Sequence, residues 1–255
     1  MSDEAGSEGV LARVLRVLDC FHEDEPALTA AQLSTRTGLA LSTLHRLLAT
    51  LVERGLLVRL PAHRYAVGAR LWELGEMSPL SLRLRETALP HMMRLYEATG
   101  ENVHLAVLDG ATPAASEALF VGRVTGRSST PTISRMGGRG PLHTTGVGKA
   151  LLATRTEGWL AEFFRHPLER ETTLSITTED ALRADIAQTR ARGYATAHEE
   201  MTLGNVSIAA PLRHVDGLPP VAIGVVVRLA RADERRLAPL VMQTARDLYD
   251  ALRTG

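Results

Sequence analysis

Thr35-Arg36-Thr37-Gly38-Leu39-Ala40-Leu41-Ser42-Thr43-Leu44-His45-Arg46-Leu47-Leu48-Ala49-Thr50-Leu51 is the stretch whose reading decides the fold. Thr37-Gly38 supplies a left-handed residue that ends one helix, and Ser42 opens the next periodic segment only a few residues later. A helix, a short glycine-containing turn and a second helix form a helix-turn-helix. On a helical wheel Leu44, Leu47, Leu48 and Leu51 share one side, and Ser42, His45, Arg46 and Ala49 face the other. An outward face of small and hydrogen-bonding residues suits a DNA major groove, where an arginine donates two bonds to guanine and Ser or Thr reaches bases or phosphates. Ser42, Thr43, His45 and Arg46 are the candidate readers.

Working outward, Leu11, Val14, Leu15, Leu18 and Phe21 recur at helical spacing and predict a first amphipathic helix. A loop over Glu23 to Leu28 leads to Thr29, which caps a short helix through Leu33 to Arg36. Downstream, Leu56 to Leu60, a Pro61-Ala62 turn and His63 to Val67 read as a β-hairpin, and a hairpin directly after a reading helix is a wing. Arg59, His63 and Arg64 would sit near its turn, placed for phosphates or the minor groove. Between Ala30 and Arg70 the basic residues Arg36, Arg46, Arg54, Arg59, Arg64 and Arg70 face the single acid Glu53, a local balance of +5. The chain as a whole is neutral, with 29 basic and 29 acidic residues, so only the local distribution points to nucleic acid.

A chain of 255 residues is long enough for two cores. Apolar residues make up 45% and charged residues 23%, which excludes disordered, collagen-like and coiled-coil classes. The longest apolar runs, such as Val221 to Val227, fall far short of the roughly 20 residues of a membrane span, so no membrane association is expected. Met1 to Gly9 carries acids where a secretory signal would be basic and then apolar. It is expected to be a disordered N-terminus, and the protein is placed in the cytoplasm. Cys20 is the sole cysteine, which rules out an internal disulfide and reads as a small core residue. The histidines show no paired metal spacing, so neither metal nor cofactor is expected.

Gly75, Ser78 and Pro79 break the pattern after the wing, and a new amphipathic stretch runs from Leu82 to about Ala98, with Pro90 expected to kink or restart it. The resulting division is a winged helix-turn-helix over 10–76, a linker helix over 77–99 and a second domain over 100–255. Strand-like segments at Asn102 to Leu108, Ala118 to Val124, Val206 to Leu212 and Val221 to Arg228 mix there with helical ones near Gly146 to Ala153, Glu179 to Arg192 and Ala232 to Leu252. That mixture is an α/β or α+β ligand-binding layout.

Three stretches together resemble the IclR family of bacterial regulators, over nearly the whole chain from Val10 to Leu252. They are the helix-turn-helix quoted above, Gly137 through Pro141-Leu142-His143-Thr144-Thr145-Gly146-Val147-Gly148-Lys149-Ala150, and Gly193-Tyr194 through Glu199-Glu200 to Ile208-Ala209-Ala210-Pro211. The resemblance implies an α+β protein whose C-terminal domain is GAF-like and binds a small effector, assembled as a homodimer or homotetramer on double-stranded operator DNA, commonly as a repressor. It also implies a pocket near Ser129, Thr132, Gly146, Val147, Ala197, Ser207, Gly224 and Val226. Relatives that take small oxo-acids place an acid near 197, a cysteine at 207 and serines at 224 and 226. Ala197, Ser207, Gly224 and Val226 therefore imply a roomier, more apolar site for a larger organic acid or partly apolar metabolite.

Thr144 or Thr145 can cap a helix starting near Gly146, whose free N–H groups would favour a carboxylate; a tight turn with an ordinary cap explains the same residues. Gly146-Val147-Gly148-Lys149-Ala150 has the outline of a phosphate loop, but His143 occupies its first glycine position and Ala150 its Ser/Thr. Lys149, the only lysine, is expected on an exposed helix surface, and His143 and His198 are lesser pocket candidates. Two rival functions remain: an α/β hydrolase built on Ser207, His143 and Asp109, for which no nucleophile elbow exists, and an adaptor whose winged helix binds a protein partner. No catalytic residue is expected.

Overall fold

The computed structural model describes residues 8–22, 24–126 and 134–254. The chain divides into two compact units, Met1–Ser78 and Pro79–Gly255.

The first unit is built on α1 (Val10–Leu18), β1 (Ala27–Thr29), α2 (Ala30–Thr37), α3 (Leu41–Glu53), β2 (Leu57–Leu60), β3 (Arg64–Val67) and α4 (Ala69–Glu76). Thr29 starts α2 through a full capping box with Gln32, and Gly38 stops it at φ 67°. Ala40 precedes α3 without a side-chain cap. Leu44, Leu48 and Leu51 of α3 close with Val17, Cys20, Leu28, Leu33, Leu57 and Tyr65 into one core, each fully buried leucine contributing about 1.5–3 kcal/mol.

Three expectations are corrected here. Ala27 and Leu28, read as the end of a loop, form with Thr29 a third strand, and the sheet order is β1-β3-β2; a three-residue strand is too short to show alternation. His63 belongs to the turn Pro61–His63, not to a strand. In α1 the buried residue is Val17, and Leu11 and Leu15, placed on the buried stripe, are 72% and 51% exposed. The helix has apolar residues on two sides, and the single-chain core covers only one.

The second unit is a six-stranded antiparallel sheet covered on both faces. Its elements are a wide π-helical turn Leu80–Arg85, α5 (Glu86–Thr99), β4 (Asn102–Asp109), β5 (Glu117–Val124), β6 (Arg139–Gly140), α6 (Gly146–Ala153), α7 (Glu157–Phe163), α8 (Glu179–Arg192), β7 (Ala195–His198), β8 (Asn205–Pro211), β9 (Val221–Arg228) and α9 (Glu234–Thr254). The strand order is β6-β5-β4-β9-β8-β7. Pro90 lies inside α5, which continues unbroken past it; the wide turn lies immediately upstream.

The two faces differ in side-chain size. Val103, Leu105, Val107, Ile208, Ile223, Val225 and Val227 point to one face, where α5 and α9 pack through Met92, Leu95, Leu237, Val241 and Leu248. Ala106, Ala118, Ala195, Ala209 and Ala222 point to the other, under α6, α7 and α8. Period-two alternation of large and small residues thus lets α6 approach the sheet closely, and it leaves space beside the helix's first turn.

Candidate DNA-reading face and candidate effector pocket

On α3 the leucine side is buried and Ser42, His45 and Arg46 are exposed, with Thr43 half-buried. The wing turn holds Ala62 and His63 at φ 59° and 53°, a left-handed conformation uncommon for residues with a Cβ. It places Arg59, His63 and Arg64 on the surface, with Arg59 Nη2 2.6 Å from His63 Nδ1. All seven predicted DNA-facing side chains are therefore clear of the core, on one helix and one hairpin of the same unit.

In the second unit a pocket opens on the small-residue face. It takes in about 650 Å³ with its open mouth counted, of which about 90 Å³ admits the centre of a water-sized sphere. Sheet register explains the floor: Ala197 pairs with Ser207 and Ser207 with Val226, so three expected residues form one row across β7, β8 and β9, and all three line the pocket. Val147, on the first turn of α6, is the fourth. Gly146 works differently: a Cβ there would lie 2.2 Å from Ser207 Oγ, so glycine is what allows α6 to rest on β8. Gly224 falls one row deeper, between Ala209 and His104, outside the lining among the described residues. A Cβ on it would come within 2.6 Å of the Ala209 Cβ. Ser129 and Thr132 lie outside the described residues.

Thr145 caps α6 by accepting from the Gly148 N–H at 3.1 Å. Thr144 Oγ1 donates to Met201 Sδ at 3.3 Å across the pocket. His143 turns away, its Nε2–H donating to the Glu169 carbonyl at 2.7 Å, and burial lowers its pKa. His198 is half-exposed, 3.9 Å from Glu234.

Sequence reasoning missed much of the wall. His104, Phe120, Ser134, Arg139, Glu200, Met201 and Thr202 also line it. His104 packs edge-on against Phe120, its Nε2 2.9 Å from Ser134 Oγ, and burial pushes its pKa down to about 3, so the ring is neutral. Arg139 pairs with Asp109 at 2.5 Å and, more loosely, with Glu117 at 3.8 Å. Arg139 and Glu200 both fall in stretches that carried the family resemblance, and that was the signal available for them.

Lys149 is the clearest correction. Expected on an exposed surface, it is fully buried, with Nζ 2.6 Å from Glu200 and 3.3 Å from Asp185. The helix it sits on is covered from Gly146 to Leu152, so no exposed face exists for it to occupy. The turn presenting Glu200 is built to hold it: Glu199 has φ 57° and accepts the Gly204 N–H at 2.7 Å, and Ser175 Oγ donates to the Glu200 carbonyl at 2.7 Å.

Residues 79–250 match the model of the bacterial transcriptional regulator IclR C-terminal domain, and residues 10–61 match that of the IclR helix-turn-helix domain. The chain belongs to the IclR family. Among IclR relatives, the HTH-type transcriptional regulator BhcR of Paracoccus denitrificans is 33% identical over 252 residues, 97% of this chain and 88% of that protein. XynR of Escherichia coli is 31% identical over 228 residues, 89% of this chain and 88% of that one. An IclR homolog from Microbacterium hydrocarbonoxydans, solved in complex with 4-hydroxybenzoate, superimposes with TM-score 0.87 at 33% identity, covering 97% of this chain and 100% of that one. As an IclR regulator the protein responds to a ligand and binds DNA through its helix-turn-helix, in the α+β arrangement read from the sequence.

Proposed function

We propose that the protein is a cytoplasmic repressor that reads an operator as a homodimer or homotetramer and is controlled by a hydroxylated aromatic acid or similar organic acid in the second-unit pocket. Ser42, Thr43, His45 and Arg46 enter the major groove, and Arg59, His63 and Arg64 hold the backbone and the adjacent minor groove. The observation that carries this reading is the pairing of an exposed polar face on α3 with a largely apolar pocket in the other unit. The exposed apolar side of α1, with Val10 at 61%, Leu11 at 72% and Leu15 at 51%, favours burial against a second copy. Phe120, Val147, Ala197, Met201 and Val226 give the pocket an apolar body, and the Microbacterium homolog holds 4-hydroxybenzoate. Arg139 is the guanidinium on the wall, and a ligand carboxylate would compete with Asp109 for it. No catalytic step is part of this function.

The test is a mobility shift of the full chain on the DNA upstream of its own gene, over a salt series, with and without 4-hydroxybenzoate. A specific complex that weakens steeply with salt and is released by the acid is expected. Binding no tighter than to unrelated DNA at every salt concentration would overturn the reading in favour of a protein-binding adaptor.

A further inference from the structure

One charged group on the pocket wall is left half-used by its neighbours. Glu200 is 6% exposed and lines the pocket. Its Oε1 accepts from Lys149 Nζ, the His198 backbone N–H also bears on the carboxylate, and its Oε2 is buried with no partner at ordinary hydrogen-bond geometry among the described residues. A carboxylate oxygen shut away from water without a donor is unfavourable, and native folds rarely leave one so without a use. The side chain does not sit there by slack. Ser175 Oγ donates to the Glu200 carbonyl and Thr172 Oγ1 to the Glu199 carbonyl, both at 2.7 Å, and Lys149, fixed in turn by Asp185 and the Thr196 carbonyl, holds Oε1. The cluster contains one ammonium and two carboxylates, so it presents surplus negative charge to the cavity. Burial raises the Glu200 pKa and Lys149 opposes that rise.

We infer that Glu200 Oε2 is the specificity-determining acceptor of the pocket, that it meets a hydroxyl or amine N–H on the effector, and that the effector is accordingly an acid bearing a second, donor-carrying group. This rests on the reading of the pocket as the effector site. Charge then sets the ligand's direction. A carboxylate is repelled by Glu200, which follows β7 at one edge of the sheet, and the guanidinium at the other edge, Arg139 on β6, would exchange its bond to Asp109 to receive it. An otherwise similar acid without the donor would seal Oε2 against an apolar surface, and a site with such an acceptor discriminates strongly against it.

The experiment is calorimetric titration of the full chain with matched acids: 4-hydroxybenzoate against benzoate, and mandelate against phenylacetate. The donor-bearing member of at least one pair is expected to bind about ten- to a hundredfold more tightly. Glu200→Met should erase that preference; it leaves Lys149 paired one-to-one with Asp185, and a melting curve checks that it folds. Should it not fold, Glu200→Gln carries the comparison and is expected to compress the preference, because a charged acceptor is the stronger one. Equal binding within each pair, or a preference that survives the substitution, overturns the role of Glu200 and leaves the pocket reading standing. Binding of none of these acids overturns the pocket reading and this inference together.

Discussion

α3 and α6 are the helices on which the two units depend, and they place their chemistry in opposite ways. α3 buries Leu44, Leu48 and Leu51 and turns Ser42, His45 and Arg46 to solvent. α6 is buried from Gly146 through Leu152, starts with a glycine pressed on Ser207, and encloses the only lysine of the chain. A charge on α3 is free to meet a partner at little cost to the fold, whereas the charge on α6 is part of the fold. Substitutions at equivalent-looking positions should therefore separate stability from recognition.

Removing the Lys149 ammonium is expected to have the largest effect. Lys149→Met strands Glu200 and Asp185 without their cation, and breaking a buried pair on one side costs about 3–5 kcal/mol. Chemical denaturation of the full chain should show this loss; a loss under 1 kcal/mol would mean that the cluster is far better hydrated than its burial implies.

Gly146→Ala comes next. The new Cβ falls 2.2 Å from Ser207 Oγ, and overpacking of this kind costs about 1–3 kcal/mol. Adding Ser207→Gly should restore part of the loss, and independent, additive effects of the two substitutions would show that the contact is not the cause.

An effect that is absent at neutral pH and appears only on acidification lies at His104. Its pKa is about 3 in the folded protein and about 6.5 when unfolded, so the unfolded chain binds the extra proton between those values. Stability is then full above pH 6.5 and falls as the solution is acidified toward pH 3, by about 1.4 kcal/mol per pH unit. His104→Gln should flatten that part of the profile in a series of melting curves; an unchanged slope would place its source elsewhere.

What could be read in advance follows the same contrast. α3 shows a periodic stripe because one side faces water, and α2 announces its ends through Thr29 and Gly38. The wing is legible because Pro61 separates two short apolar runs. α6 has no polar side, so its sequence gives no hint that Lys149 points inward, and β7 (ATAH) is too small and too short to stand out. The Ala197–Ser207–Val226 row was reached through family resemblance and not through spacing. Glu200 and His104 were missed because their placement depends on a left-handed turn at Glu199 and on strand register, both of which are long-range consequences of the fold.

The central claim is tested most directly at Arg46. Arg46→Ala, exposed and outside every core cluster, should change stability by less than about 0.5 kcal/mol and leave the melting shift with 4-hydroxybenzoate as in the wild type. In titrations against the upstream operator by fluorescence anisotropy, the account predicts affinity reduced by about 1–3 kcal/mol, with discrimination between operator and unrelated DNA relaxed. Operator affinity and discrimination equal to the wild type would contradict it and remove α3 from the reading of DNA.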